Sequence, residues 1–146
     1  MKKFFLTLVL LITLGFGVKF YFAKPLLAPI KVLSCPDITQ PCGNEMFTIQ
    51  FSEAPQVMKP FHLNFHMNRA EAVKNIHVDF AMQSMEMGLN RYRLIQADQS
   101  GDWQAEVTLP ICVQGRSDWN MLVEVEAGGK VQRFQLPFSA TANRIK

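Results

Sequence analysis

The chain contains no nucleophile elbow, no phosphate-cradling glycine loop and no HExxH helix, so the common sequence marks of hydrolases, nucleotide enzymes and zinc proteases are missing. Its acids do not gather: Asp37, Glu45, Glu86 and Asp118 are scattered, and Ser117-Asp118 has no identifiable catalytic partner. No enzyme is expected on these grounds. Charged residues make up only 18% of the 146, without a basic run, which argues against nucleic acid as a partner. There is no internal repeat and no low-complexity segment. Cysteines number three, and none of them forms a CxxC pair.

What is present begins with residues 1–24, MKKFFLTLVLLITLGFGVKFYFAK. Two lysines precede an uncharged, mostly apolar stretch, the pattern of an export signal or a membrane anchor. No A-x-A-like cleavage site closes it. The twenty residues from Phe4 to Ala23 match the roughly 30 Å that a helix needs to cross a bilayer. Lys19 can snorkel to the headgroups, and Phe20, Tyr21 and Phe22 suit the interfacial belt. We expect an uncleaved anchor with its N-terminus in the cytoplasm, and a cleaved signal as the alternative.

That segment holds four of the chain's fifteen Lys+Arg and no acid, leaving eleven against twelve Asp+Glu beyond it, a formal −1. The whole-chain charge of +3 is therefore a targeting property. Residues 25–44 carry prolines at 25, 29, 36 and 41, which remove backbone donors and disfavour helix. They are expected to form an extended stalk containing Cys35 and Cys42. A domain over 45–140 and a short tail over 141–146 complete the plan.

From Met46 onward the hydrophobic pattern has period two. Phe47, Ile49 and Phe51 alternate with polar neighbours, as do Phe61, Leu63, Phe65 and Met67, then Ile76, Val78, Phe80 and Met82, then Trp103, Ala105, Val107 and Leu109. Leu122 to Val125 begin a further strand. Such one-faced alternation marks half-buried antiparallel strands. Gly128-Gly129 is a hairpin signal, and Asp98 to Asp102 is a second turn. Arg69 to Lys74 is the one helix-permissive stretch. About seven strands in about 100 residues predict an all-β, immunoglobulin-like sandwich, with Trp103 and Trp119 in its core.

Cys35-x6-Cys42, Met58-Lys59-Pro60, Val78-Asp79-Phe80, Met85-x-Met87-Gly88 and Leu109-Pro110-x-Cys112 followed by Trp119 together resemble a group of small membrane-anchored periplasmic proteins of proteobacteria. More loosely, the domain is similar to the FixH and YtkA-like sandwich domains. The resemblance spans about residues 35–125. It implies the bacterial inner membrane with the C-terminal domain in the periplasm, and a link to copper delivery or respiratory oxidase assembly. Met85, Met87 and Cys112 are the positions that match its motifs.

Three of the eight methionines fall in Met82-Gln83-Ser84-Met85-Glu86-Met87-Gly88. Thioethers are soft donors suited to Cu(I), and they survive an oxidising compartment. On an extended strand Met85 and Met87 point the same way, about 7 Å apart. Met82 has the opposite parity, so it joins them only across a bend near Gln83-Ser84; otherwise it continues the apolar face of Ile76, Val78 and Phe80. The expected metal set is therefore Met85 and Met87, with Met82 or a histidine completing it. The competing reading is a metal-free envelope module that docks a periplasmic or membrane protein through an edge strand or loop.

His62, His66 and His77 share the polar parity of their strands. Direct pairing of 61–67 with 76–82 would set His66 opposite His77, close enough to share a metal. Solvent-facing histidines with no shared task are the simpler reading. Among the cysteines, export favours a structural disulfide, and three cannot all pair within one chain. Cys35–Cys42 would close a small loop. Cys42–Cys112 would close a much longer one and stabilise more by the chain-entropy argument, so it is slightly preferred.

Overall fold

The computed structural model describes residues 28–69, 72–83, 88–97, 100–111 and 117–141. The expected membrane anchor lies outside them, as do Met85, Met87 and Cys112. Among the described residues no helix is long and apolar enough to cross a membrane.

Among the described residues, ten strands form two five-stranded sheets: β1 (Ile30–Val32), β2 (Cys42–Gly43), β3 (Phe47–Phe51), β4 (Phe61–Met67), β5 (Val73–Met82), β6 (Arg91–Arg93), β7 (Ile95–Gln96), β8 (Asp102–Val107), β9 (Asp118–Ala127) and β10 (Lys130–Ser139). The first sheet has the order β1-β10-β9-β5-β6, the second β2-β3-β4-β8-β7. All pairings between these strands are antiparallel except β1 on β10. The described residues are all-β, as their alternation predicts.

The burial of β4 alternates residue by residue, with Phe61, Leu63, Phe65 and Met67 inward and His62, Asn64 and His66 outward. The inward faces of both sheets supply one core in which, among the described residues, no charged or polar residue is buried. Aromatic rings join the sheets across it. Phe47 of β3 meets Phe134 of β10 edge-on at 5.0 Å between centroids, and Phe51 meets Phe138 at 5.3 Å. Such geometry adds about 0.5–1.5 kcal/mol per pair beyond the area removed from water. Trp119 is fully buried, whereas Trp103 is only partly so.

The β9–β10 hairpin closes over Gly128 and Gly129, both with positive φ (55° and 73°), the backbone that a two-residue primed turn requires. Gly43 is needed for a different reason: a Cβ there would lie 2.1 Å from the Phe47 carbonyl oxygen.

Part of the segment read as a stalk is integral to the domain, because β1 lies parallel on β10 and β2 pairs with β3. These strands are too short to show alternation; tertiary pairing makes them. The pairing of 61–67 with 76–82 does not occur. β4 and β5 belong to different sheets, so His66 and His77 face solvent on opposite sides of the molecule.

Candidate functional site

Met82 ends β5 with its side chain in the core, 2% exposed, on the face it shares with Ile76, Val78 and Phe80. Its thioether is packed between the sheets, so the described backbone does not turn it outward.

The described residues flanking the methionine segment and Cys112 meet at one end of the sheets. Met82 sits opposite Trp119 in the β5–β9 register, and the Gln83 amide donates to the Asp118 carbonyl at 3.2 Å. The chain entering 84–87 is thus one hydrogen bond from the chain that leaves 112–116. Beyond residues 84–87 and before residues 112–116 the anchoring is equally local. The Phe80 amide donates to the Asn90 carbonyl at 3.0 Å. The Tyr92 hydroxyl donates to the Thr108 carbonyl at 2.8 Å and accepts from the Thr108 amide at 3.1 Å.

A further sulfur belongs to this end. Met58 is exposed, and its φ of 64° is the only positive value at a non-glycine among the described residues. Its amide donates to the Leu109 carbonyl at 2.9 Å, three residues before Cys112. Reading the sequence by strand alternation passed over it, since a turn methionine belongs to no periodic run; the nearby Lys59-Pro60 turn signal was the available hint. Leu89 and Ile111, close in sequence to those two segments, are exposed. The buried Trp119 indole N–H finds no acceptor among the described residues.

Cys42 is bonded to Cys35, not to Cys112 as preferred from sequence. The entropy argument weighs only the unfolded chain; native geometry decides. The Asp37 carboxylate accepts from the Thr39 amide at 2.9 Å and from its hydroxyl at 2.6 Å, turning the chain back so that the two cysteine Cα atoms are 5.9 Å apart. β2, which carries Cys42, is separated by β3 and β4 from β8, the strand leading toward position 112.

The outer faces are ordered electrostatically. On the first sheet Glu124 lies between Arg91 and Arg133, at 2.9 Å and 3.0 Å. Burial pushes its carboxyl up, but hydrogen bonds from Arg133 and Arg91 outweigh that and hold it below its usual value. Asp79 is shifted the other way: burial raises it, and Arg91 at 3.5 Å offsets only part. On the second sheet the His66 ring pairs with Asp102 at 2.6 Å, while His62 stands opposite Glu106. Among the described residues no three His, Cys, Asp or Glu side chains converge where they could hold a metal.

No protein-family model matches the chain, and no curated protein is similar to it by sequence.

Proposed function

We propose that this is a membrane-anchored periplasmic accessory protein whose immunoglobulin-like β-sandwich carries Cu(I) at the Trp119 end, in copper delivery or oxidase assembly. The strand order supports the immunoglobulin-like reading. With β3 to β10 taken in turn as A, B, C, C′, D, E, F and G, the sheets read A-B-E-D and G-F-C-C′. The composition of residues 1–24 supports the anchor.

The observation that carries the copper reading is the Gln83–Asp118 hydrogen bond. It joins Gln83, two residues before Met85, to Asp118, six residues after Cys112, although the two are far apart in sequence. The Cys35–Cys42 disulfide leaves Cys112 without an intrachain cysteine partner, a thiol in addition to two thioethers. Thiolate and thioether are the donors that Cu(I) selects. With Met82 in the core, Cys112 or Met58 replaces it as the group completing the set. Thioethers hold the ion weakly enough for exchange with a partner's ligands, which is carriage and not catalysis.

One observation favours the metal-free docking reading: Met58, Leu89 and Ile111 expose apolar surface at that same end. Titration of the full-length protein with Cu(I) against a competing chelator separates the two. Copper carriage requires stoichiometric retention by the native chain and its loss in Met85→Leu/Met87→Leu. Identical curves for both proteins would leave docking as the role.

A further inference from the structure

The direction in which the chain enters the sandwich is fixed by the pairing of β1. It lies parallel on β10, with Ile30 opposite Arg133 and Val32 opposite Gln135. Traced backward from Ile30, β1 therefore points toward Lys130 and the Gly128-Gly129 turn, away from the Trp119 end. From Lys24, which closes the apolar segment, to Ile30 the chain spans at most about 20 Å at full extension. From Arg133 to Ser139, which stands opposite Asp118, β10 runs about 20 Å in the other direction. Laying the Trp119 end on a bilayer would take up the whole tether in doubling back along the sheet. The hairpin end lies on the tether's own course.

The surface at that corner suits a bilayer. Residues opposite each other in a sheet share a face, so Ile30 and Val32 lie on the outer face of the first sheet with Arg133 and Gln135. Val131, two residues from Arg133 on β10, lies on the same face. These three aliphatic side chains are 48%, 68% and 45% exposed. Cations frame them. Arg69 pairs with Glu45 and Lys74 with Glu126, whereas Lys31 and Lys130 have no carboxylate partner among the described residues. Lys31 reaches Gln132 at 3.5 Å across the sheet edge, its ammonium 5.6 Å from the centre of the Phe134 ring. Exposed aliphatics beside lysines that hold no acid make an interfacial contact: the aliphatics enter the headgroup boundary and the ammonium groups meet anionic headgroups.

We propose that the β1–β10 corner, with the Gly128-Gly129 turn, rests on the anionic bilayer surface and holds the Trp119 end away from the membrane. The proposal rests on the anchor reading and not on the copper one; it implies that a copper-exchange partner meets this protein clear of the headgroups. The test uses the full-length chain with Cys112→Ser, which leaves no thiol beside the Cys35–Cys42 disulfide. It is placed in nanodiscs of phosphatidylcholine and phosphatidylglycerol at about 3:1, with a nitroxide on Val131→Cys or, for comparison, on Leu89→Cys. Relaxation of the label by a water-soluble nickel chelate, and by oxygen, which partitions into lipid, reads its contact with the bilayer. At position 131 the nickel effect should be several-fold weaker, and the oxygen effect stronger, than at position 89. Adding Lys31→Glu/Lys130→Glu should raise nickel access at 131 to the level at 89. Circular dichroism of each variant checks that the fold is retained. Equal nickel access at both positions, in protein that alkaline carbonate does not extract from membranes, would overturn the docking and leave the anchor standing. Extraction by carbonate would overturn the anchor, and the docking with it. Shielding at 89 instead of 131, or no change on charge reversal, would also overturn the proposal.

Discussion

Replacing each cysteine by serine in turn gives three proteins whose stabilities discriminate between the two disulfide pairings. The Cys35–Cys42 bridge spans a sequence separation of 7. In the chain-entropy relation a loop of that size restricts the unfolded state by about 2.4 kcal/mol, whereas the 70-residue separation of Cys42 and Cys112 gives about 4.4 kcal/mol. Cys35→Ser and Cys42→Ser should therefore lose the same stability, about 2.4 kcal/mol, with urea midpoints lowered by about 1–2 M. Cys112→Ser should unfold like the native chain. Tryptophan emission is a suitable signal, because Trp119 is buried in the core and Trp103 packs against it. A large loss in Cys112→Ser with an unchanged Cys35→Ser would refute the pairing and restore Cys42–Cys112. Peptide mapping without reductant gives the same answer chemically.

Three further outcomes follow from the packing and electrostatics. Met82→Ala should cost about 2–5 kcal/mol as a core truncation, while Met82→Leu should cost less than about 1.5 kcal/mol and leave Cu(I) affinity unaltered; thermal melts and a copper titration check both. The folded pKa of Asp79 lies above its unfolded value, so ionising it costs stability that is not lost below pH 3.8 and is lost in full above the folded pKa. The advantage of Asp79→Asn over the native chain should therefore grow as pH rises from about 3 to neutral, read by urea unfolding across pH. Tyr92→Phe leaves the Thr108 amide and carbonyl without their shared partner, at about 1–3 kcal/mol and with faster amide exchange at Thr108.

The central strands were legible because each has one wet face: β4 spans Phe61–Met67, the run its alternation marks, and the Gly128-Gly129 turn falls where two glycines interrupt the pattern. β1, β2, β6 and β7 were not legible. They have two or three residues each, too few for a period, and exist because a longer neighbour offers unpaired backbone groups. The partition of β4 and β5 into different sheets is likewise invisible to alternation, which gives a strand's faces but not its neighbours. At the candidate site the parity of Met82 was readable as core, yet the methionine run also offered it as the third copper ligand; its burial agrees with the parity. The Gln83–Asp118 contact and the turn geometry of Met58 depend on how distant segments meet, and no local pattern encodes that.

Copper K-edge X-ray absorption on the full-length protein, loaded with Cu(I) and washed with chelator, tests the central claim most directly. The account predicts a first shell made of sulfur alone, lost in Met85→Leu/Met87→Leu and retained in Met82→Leu. A shell of nitrogen or oxygen donors, or no copper retained by the native chain, would contradict it.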